Sequence, residues 1–209
     1  QQGIIYSGLS KDKVFFNKCM GNSHKKILDG RDVLKWKINW SKKIENKFIY
    51  YSNQLHRPRE ERLFLAKEKI LVPRKSTKIL AAYDDEQYYA LNTAYLCLLK
   101  NEKFYIKYIL SCFNSKLINF FYTSLFFGWQ ITIPALNTIS IPEIPKQEQK
   151  LFVDIVDKIL TITKDKDYLD SPDKQAQVNE YESQIDQLVY KLYDLEPDEI
   201  KIIENNNLF

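Results

Sequence analysis

Short apolar runs separated by charged clusters occupy the middle of the chain and predict neighbouring strands. The runs Ile70–Val72, Ile79–Tyr83 and Tyr88–Leu99 are rich in β-branched and aromatic residues, which at this length favours strands over helices. Pro73 should end the first strand or lie at its edge, because proline cannot donate to a ladder. The segment Arg74–Lys78 then forms a loop with three cations and two hydroxyls. Taken alone, that composition is equally typical of an ordinary solvated turn.

A second alternating pattern lies in the first 56 residues, where β-like runs alternate with polar turns. Residues 33–40 predict a strand with lysines on its wet face and four apolar side chains on the other face. The apolar four are Leu34, Trp36, Ile38 and Trp40. Because of this alternation, we expect both tryptophans to lie in the core. The alternative is that they are platforms on which the bases of single-stranded nucleic acid stack, and the alternation counts against it. Farther on, the proline and glutamates of Arg57–Arg62 suit the first turn of a short helix.

Helical periodicity begins after the predicted strands. The spacing of apolar residues over Glu102–Leu125 predicts one helix with a wide apolar face, which ends at Phe126–Trp129. Gln130–Pro134 and Thr138–Pro142 are predicted as short extended pieces.

A different pattern begins at Lys146. Two apolar stripes, over residues 151–163 and 178–193, are separated by the polar break Lys164–Lys174, and this predicts an antiparallel helical pair. Glu196–Glu199 then begins one more short helix. We therefore predict a mixed α+β fold, with a twisted β-sheet and packed helices over residues 1–145 and a helical hairpin over residues 146–209.

Charge is distributed unevenly along the chain, although the net charge is only +4. Residues 1–80 hold 19 Lys and Arg against 7 Asp and Glu, whereas residues 146–209 hold 8 against 15. A basic front half favours a polyanionic partner. The alternative is that the two ends of the chain neutralise each other.

The residue patterns of common catalytic sites are missing from the sequence. The five glycines are too scattered for a phosphate or dinucleotide loop, His24 and His56 are isolated, and there is no nucleophile elbow. The acidic cluster Asp84–Glu86 lies in a predicted hairpin turn, with no lysine to pair with it as a nuclease site would need. We therefore expect no catalytic residue, no cofactor and no metal ion.

Cysteine usage and hydropathy predict a cytoplasmic protein. Cys19, Cys97 and Cys112 are an odd number at wide spacing, which indicates reduced thiols and not a disulfide framework. The longest apolar stretch, Phe104–Phe127, is interrupted by lysines and asparagines, so we expect no membrane span. Because the chain opens at Gln1 without methionine, we expect it to be part of a longer polypeptide.

Six segments, in order, resemble one known family. Leu28–Trp36 is similar to its strand pattern G-(R/K)-D-(I/V)-x-(R/K)-aromatic, and Leu110–Leu117 to its helix L-x-x-x-(L/F)-N-S-K-L. The other four segments are Gln2–Gly8, Arg57–Arg59 with Lys69–Arg74, Ile139–Gln149 and Glu180–Tyr193. On these residues the chain resembles the TaqI-like C-terminal specificity domain of type IIG restriction–modification enzymes, which is related to the recognition domains of type I specificity subunits.

The resemblance implies a non-catalytic domain that reads double-stranded DNA for a methyltransferase and, in some parents, a nuclease. The implied protein partner is the methyltransferase region of the same polypeptide or a modification subunit. Lys75–Lys78 stands where the family often has a small turn with glycine, so the resemblance implies DNA reading without saying which sequence is read. It also implies weak duplex binding by the isolated chain, because the methyltransferase part clamps the other side of the DNA.

Candidate DNA contacts are the cations, hydroxyls and amides on predicted loops. Cations neutralise phosphates, whereas arginine, glutamine and asparagine can read base edges in the major groove. The candidates are Arg57, Arg59, Arg62, Arg74, Lys75, Ser76 and Lys78, with Lys35 and Lys37 for backbone positioning and Gln130 and Thr132 as base readers.

Two other functions stay open at this point. The chain could be half of a type I specificity subunit, which a second copy of the same pattern in the full gene would favour. It could also be a protein-interaction module that uses the acidic helical pair as its interface, which salt-insensitive binding to a protein would select.

Overall fold

The structure of the protein is a computed structural model that describes residues 1–6, 10–40 and 47–206. Helices and strands are both present and largely segregated along the chain, which confirms the α+β class. Part of the opening segment Gln2–Gly8 of the resemblance lies outside the described residues.

The chain forms two compact units. The strand unit consists of Gln1–Lys75 and Ala81–Leu98, and the helical unit consists of Ser76–Leu80 and Leu99–Phe209. This division lies earlier than the predicted boundary at residue 145, because the helices that follow residue 105 pack with the C-terminal helices. The functional boundary at 145 stays a prediction.

The strand unit is built from short strands that suit its β-branched and aromatic runs. A one-turn helix, α1 (Lys11–Val14), leads into them. The strands are β1 (Phe15–Phe16), β2 (His24–Leu28), β3 (Val33–Leu34), β4 (Lys37–Ile38), β5 (Phe48–Tyr50), β6 (Lys69–Pro73), β7 (Ala82–Asp84), β8 (Tyr89–Ala90) and β9 (Ala94–Cys97).

These strands form three small sheets and not one. The first has the order β1-β5-β2-β8, the second pairs β3 with β4, and the third has the order β7-β6-β9. The pairing of β2 with β8 is parallel, with Ile27 opposite Tyr89, and the other pairings are antiparallel. Ile27, Ile49 and Leu71 lie in the apolar core of the unit, and each is fully buried.

Residues 33–40 form a hairpin, so the prediction of one continuous strand is wrong. Val33 pairs with Ile38, and the chain turns at Lys35 and Trp36. Trp36 adopts a φ of +64°, and its N–H donates to the carbonyl oxygen of Ala81 at 2.9 Å. Its side chain is 2% exposed, which confirms that it is a core residue. Burial and the hydrogen bond together hold a backbone conformation that a bulky residue seldom adopts.

The prediction of three adjacent strands around Arg74–Lys78 is confirmed only in part. β7 and β9 both pair with β6, but the run 88–99 is divided, because β8 joins β2 in another sheet. Pro73 is the last residue of β6, opposite Ala94, as its missing donor predicts.

The acidic cluster contains a buried ion pair, so the expectation that no lysine pairs with it is wrong. The Nζ atom of Lys69 lies 2.7 Å from Oδ2 of Asp84, and both side chains are fully buried. Lys69 also donates to the carbonyl oxygen of Phe64 at 2.8 Å. Asp84 accepts from the backbone N–H groups of Glu86 and Tyr88, at 2.9 and 3.1 Å. The pair is thus a structural feature of the sheet, inaccessible to a substrate.

The helical unit consists of helices whose apolar stripes face one another. They are α2 (Ile106–Asn114), α3 (Lys116–Leu125), α4 (Ile133–Asn137), α5 (Lys146–Lys164), α6 (Pro172–Leu192) and α7 (Pro197–Glu204). No helix among the described residues combines the length and the apolar character that a membrane span needs.

The predicted antiparallel pair is formed by α5 and α6. Near the loop that joins them, Lys174 lies 2.8 Å from a carboxylate oxygen of Asp165. Farther from the loop, Lys158 stands over the ring of Tyr181 at 5.5 Å. From the first contact to the second, the residue number falls along α5 and rises along α6. The two helices are therefore antiparallel, which confirms the prediction.

The single helix predicted over Glu102–Leu125 is broken at Ser115. Ser115 has an extended ψ of 154°, its hydroxyl donates to the carbonyl oxygen of Cys112, and it accepts from the N–H of Ile118. It thereby ends α2 and caps α3, while the apolar period continues across the break. The extended piece predicted over Gln130–Pro134 is also wrong in part, because α4 begins at Ile133.

Candidate nucleic-acid interface

The segment Asp29–Asp32 folds into a 3-10 turn with reciprocal caps. The Asp29 carboxylate accepts from the backbone N–H of Arg31 at 2.8 Å, and the Asp32 carboxylate accepts from the backbone N–H of Asp29 at 2.8 Å. Both aspartates are 8% exposed. The turn is therefore fixed by its own side chains before any partner binds.

The same Asp29 carboxylate holds the side chain of Arg31. It accepts from Nε at 3.2 Å and from Nη2 at 2.9 Å. This hydrogen bonding, followed by the nearby negative charge, raises the pKa of Arg31. The side chain of Arg31 is nevertheless 90% exposed, so a fixed guanidinium group faces solvent.

Thr93, in the loop between β8 and β9, fastens this turn to the end of β6. Its hydroxyl accepts from the N–H of Gly30 at 2.9 Å, and its carbonyl oxygen accepts from the N–H of Arg74 at 2.8 Å. A Cβ atom at Gly30 would lie 2.3 Å from the Thr93 carbonyl oxygen, so only glycine fits there. Three loops that are distant in sequence are thus held together.

A cleft of about 450 Å³ opens where these loops meet, entirely within the strand unit. Cations line it from three segments: Lys11 of α1, Arg31 of the 3-10 turn and Lys75 after β6. Asn92 and Thr93 add hydrogen-bonding groups. Cations beside polar side chains form a surface that can bind an anionic backbone and contact base edges.

Lys75 is the sequence-predicted site residue that lines the cleft. Arg74 lies beside it and is half-buried, and its guanidinium makes no hydrogen bond or ion pair within the described parts of the chain. Arg57 pairs through its backbone with Ile5 in both directions, at 2.9 and 3.1 Å, and its side chain is exposed.

The other two arginines of Arg57–Arg62 have local partners. Arg59 adopts a φ of +70°, and its Nε donates to the carbonyl oxygen of Gly3 at 3.2 Å. Arg62 forms an exposed ion pair with Glu60. The predicted helix here is wrong, because the left-handed Arg59 prevents it and only the 3-10 turn Glu61–Leu63 remains.

Lys35 and Lys37 belong to the β3–β4 hairpin, at its turn and on β4, and both are half-buried. The other four predicted residues belong to the helical unit. The hydroxyl of Ser76 donates to the carbonyl oxygen of Lys78 at 2.5 Å, which closes a turn. Thr132 caps α4 by accepting from the N–H of Ala135 at 3.3 Å.

Gln130 and Lys78 are both half-buried, and neither side chain makes a hydrogen bond within the described residues. Ser76, Lys78, Gln130 and Thr132 are not among the residues that line the cleft. Their role in DNA contact stays a prediction.

The sequence-based prediction missed Lys11, Arg31, Asn92 and Thr93 as site residues. For Arg31 the sequence did carry a signal. Asp29 and Asp32 are three residues apart, which is the spacing of a capping box, and Arg31 lies between them. Lys11 and Asn92 carry no local signal, since tertiary packing alone brings them to the cleft.

Two observations concern metal ions and buried charges among the described residues. No group of three or more His, Cys, Asp and Glu side chains in those residues could hold a metal ion. The Lys69–Asp84 pair has both side chains fully buried, so neither can reach a solvent-borne substrate.

Comparison with known proteins identifies the family of the chain. A family model described as the TaqI-like C-terminal specificity domain matches residues 25–145, more than half of the chain. The matched span contains Arg31, Lys75, Asn92 and Thr93. A search of curated proteins gave no match. By the extent of the family match, the chain belongs to the TaqI-like C-terminal specificity domains.

Proposed function

We propose that this chain is the sequence-specific double-stranded DNA recognition domain of a restriction–modification enzyme. It directs a methyltransferase, and in some parents an endonuclease, to the target site. The observation that carries the proposal is the cleft, where Lys11, Arg31 and Lys75 meet beside Asn92 and Thr93.

The two kinds of side chain in the cleft suit the two parts of DNA recognition. Lysine and arginine neutralise phosphates and release counterions, which supplies affinity. Arginine and asparagine present hydrogen-bonding groups that match guanine and adenine edges in the major groove, which supplies sequence choice. A specificity domain is generally non-catalytic, in keeping with a site of this composition.

We infer that the protein partner is the methyltransferase region of the same polypeptide or a separate modification subunit, in the cytoplasm. In this proposal residues 1–145 read the DNA, and residues 146–209 act as the helical spacer or docking region. The description of the matched family as a C-terminal specificity domain supports a catalytic part that precedes it in the same polypeptide.

The test is duplex DNA binding by the full chain across a salt series, beginning at low salt. A variant with Lys11→Ala, Arg31→Ala and Lys75→Ala is compared with the wild type. We expect the affinity of the wild type to fall steeply with salt. The slope of log affinity against log salt should flatten in the variant by about 0.9 for each phosphate that the variant no longer neutralises.

The matched control removes the same number of positive charges elsewhere, by Lys103→Ala, Lys150→Ala and Lys201→Ala. All three lysines are exposed and belong to the helical unit. An equal flattening in the control would contradict the assignment of DNA to the cleft. Absence of wild-type binding at low salt, with salt-insensitive binding to a protein instead, would overturn the proposed function.

A further inference from the structure

We propose that Arg31 is a specificity-determining residue that reads a guanine, and that Asp29 is the positioning residue that holds it for this contact. The inference rests on the proposed function, because it assigns one base contact within the same cleft.

The first step is the fixed plane of the guanidinium group. Asp29 accepts from both Nε and Nη2 of Arg31, at 3.2 and 2.9 Å, and two bonds to one planar fork fix its orientation. Asp29 is itself fixed by the reciprocal cap with Asp32. An arginine held in this way loses less rotamer freedom when it binds a ligand than an unrestrained one.

The second step concerns the edge of the Arg31 guanidinium group that does not bond to Asp29. After Nε–H and one hydrogen of Nη2 bond to Asp29, Nη1 and the other hydrogen of Nη2 are left for a partner. Two adjacent donors in one plane match the O6 and N7 acceptors that guanine presents in the major groove. The side chain is 90% exposed, so a base edge can reach these donors.

The third step separates a base contact from a phosphate contact. The Asp29 carboxylate offsets the charge of Arg31, which weakens its pull on any phosphate. The two hydrogen bonds instead fix the plane of the Arg31 guanidinium group. A flat base edge requires donors in a fixed plane more than a phosphate does. Lys11 and Lys75 of the same cleft supply cations for the phosphates.

The experiment is selection of bound duplexes from a randomised pool at low salt, followed by sequencing, with the full chain. Wild type is compared with Arg31→Lys, which keeps the charge and loses the fork. It is also compared with Asp29→Asn, which can still cap the turn but cannot clamp the guanidinium with a charged carboxylate. Lys201→Ala is the control, because Lys201 is exposed and far along the chain in α7.

We expect the wild type and Lys201→Ala to enrich the same sequence, with guanine at one fixed position. Arg31→Lys should lose about tenfold or more of the preference for that guanine and leave the other positions unchanged. Asp29→Asn should lose preference at the same position, while its affinity for unrelated duplex stays equal or rises, because its net charge is one unit more positive.

Three results would overturn the inference. If Arg31→Lys keeps the guanine preference, arginine geometry is not read. A further variant, Arg31→Ala, is measured in the salt series described above. If it binds every sequence more weakly by the same factor, and its slope of log affinity against log salt is smaller by about 0.9, Arg31 contacts a phosphate. If wild type enriches a sequence and Asp29→Asn enriches it equally well, Asp29 does not position the reader. No wild-type binding to duplex DNA, with salt-insensitive binding to a protein instead, would refute the proposed function, and this inference with it.

Discussion

At the scale of single residues, the stability of the strand unit depends on the buried ion pair of Lys69 and Asp84. Burial, which disfavours both charges, lowers the pKa of Lys69 and raises the pKa of Asp84, and their mutual attraction opposes both shifts. Removing one partner leaves the other charge unpaired inside the sheet, which costs more than the pair itself contributes.

Lys69→Met should therefore lower the free energy of unfolding by about 3–5 kcal/mol. The double variant Lys69→Met with Asp84→Asn should recover part of this, because it leaves no buried carboxylate unpaired and the single amide oxygen of asparagine can still accept from the N–H of Glu86. Denaturant unfolding measures both.

Lys103→Met is the control for this prediction, since its ion pair with Glu143 is exposed and should contribute about 0–1 kcal/mol. A cost for Lys69→Met as small as that of the control would show that the buried pair is dispensable.

The cysteines differ in reactivity for a reason that can be read from their surroundings. Burial raises the pKa of Cys112 to about 12 and also raises the pKa of Cys97, whereas Cys19 is exposed. We expect one fast-reacting thiol per chain in a thiol titration of the native protein at about pH 8, because only the thiolate attacks the reagent. Cys19→Ser should abolish this fast phase, and a fast phase that survives in the variant would contradict the prediction.

At the scale of elements, α7 is held to two other helices by one carboxylate. Glu204 accepts from Nζ of Lys116 and from the hydroxyl of Tyr190, the latter at 2.8 Å. Burial would raise the pKa of Glu204, but these hydrogen bonds and the lysine charge outweigh it, so the pKa is lowered. Since the folded pKa lies below the unfolded one, the stabilisation is complete above about pH 4.5 and is lost as the pH falls through the folded value.

Glu204→Gln should remove this contribution. We expect the free energy of unfolding of the wild type to fall more steeply below about pH 4.5 than that of the variant, with the two curves parallel above it. Urea unfolding at a series of pH values from neutral to strongly acidic tests this. Curves that stay parallel over the whole range would mean that Glu204 titrates alike in the folded and unfolded chain.

Elements could be predicted where the pattern that specifies them lies within the element itself, and not where contacts with distant residues decide the backbone. α5 and α6 follow from apolar spacing within each helix, so their period and their antiparallel packing were both predictable. The hairpin at residues 33–40 was not, because Trp36 turns the chain through burial and a bond to Ala81, while the alternation on either side imitates one strand. Ser115 likewise breaks a helix without disturbing its apolar period.

At the scale of the whole molecule, the basic front half predicted a polyanionic partner and the motifs predicted the family. The cleft itself was less predictable. Lys75 was found from its loop, but Lys11 and Asn92 reach the cleft only through tertiary packing. Arg31 was visible as part of a turn, and its capping-box spacing could have singled it out.

The strand order of the third sheet has a consequence for how specificity can be exchanged between relatives. β6 lies between β7 and β9, and both partners follow it in the chain. A recombination crossover anywhere from residue 75 to residue 97 would join β6 of one parent to β7 or β9 of another, and would mismatch the loops around Thr93. A crossover just after Leu98 would transmit the cleft whole. Under the proposed function, we therefore expect the cleft to be exchanged between relatives as one block of about a hundred residues.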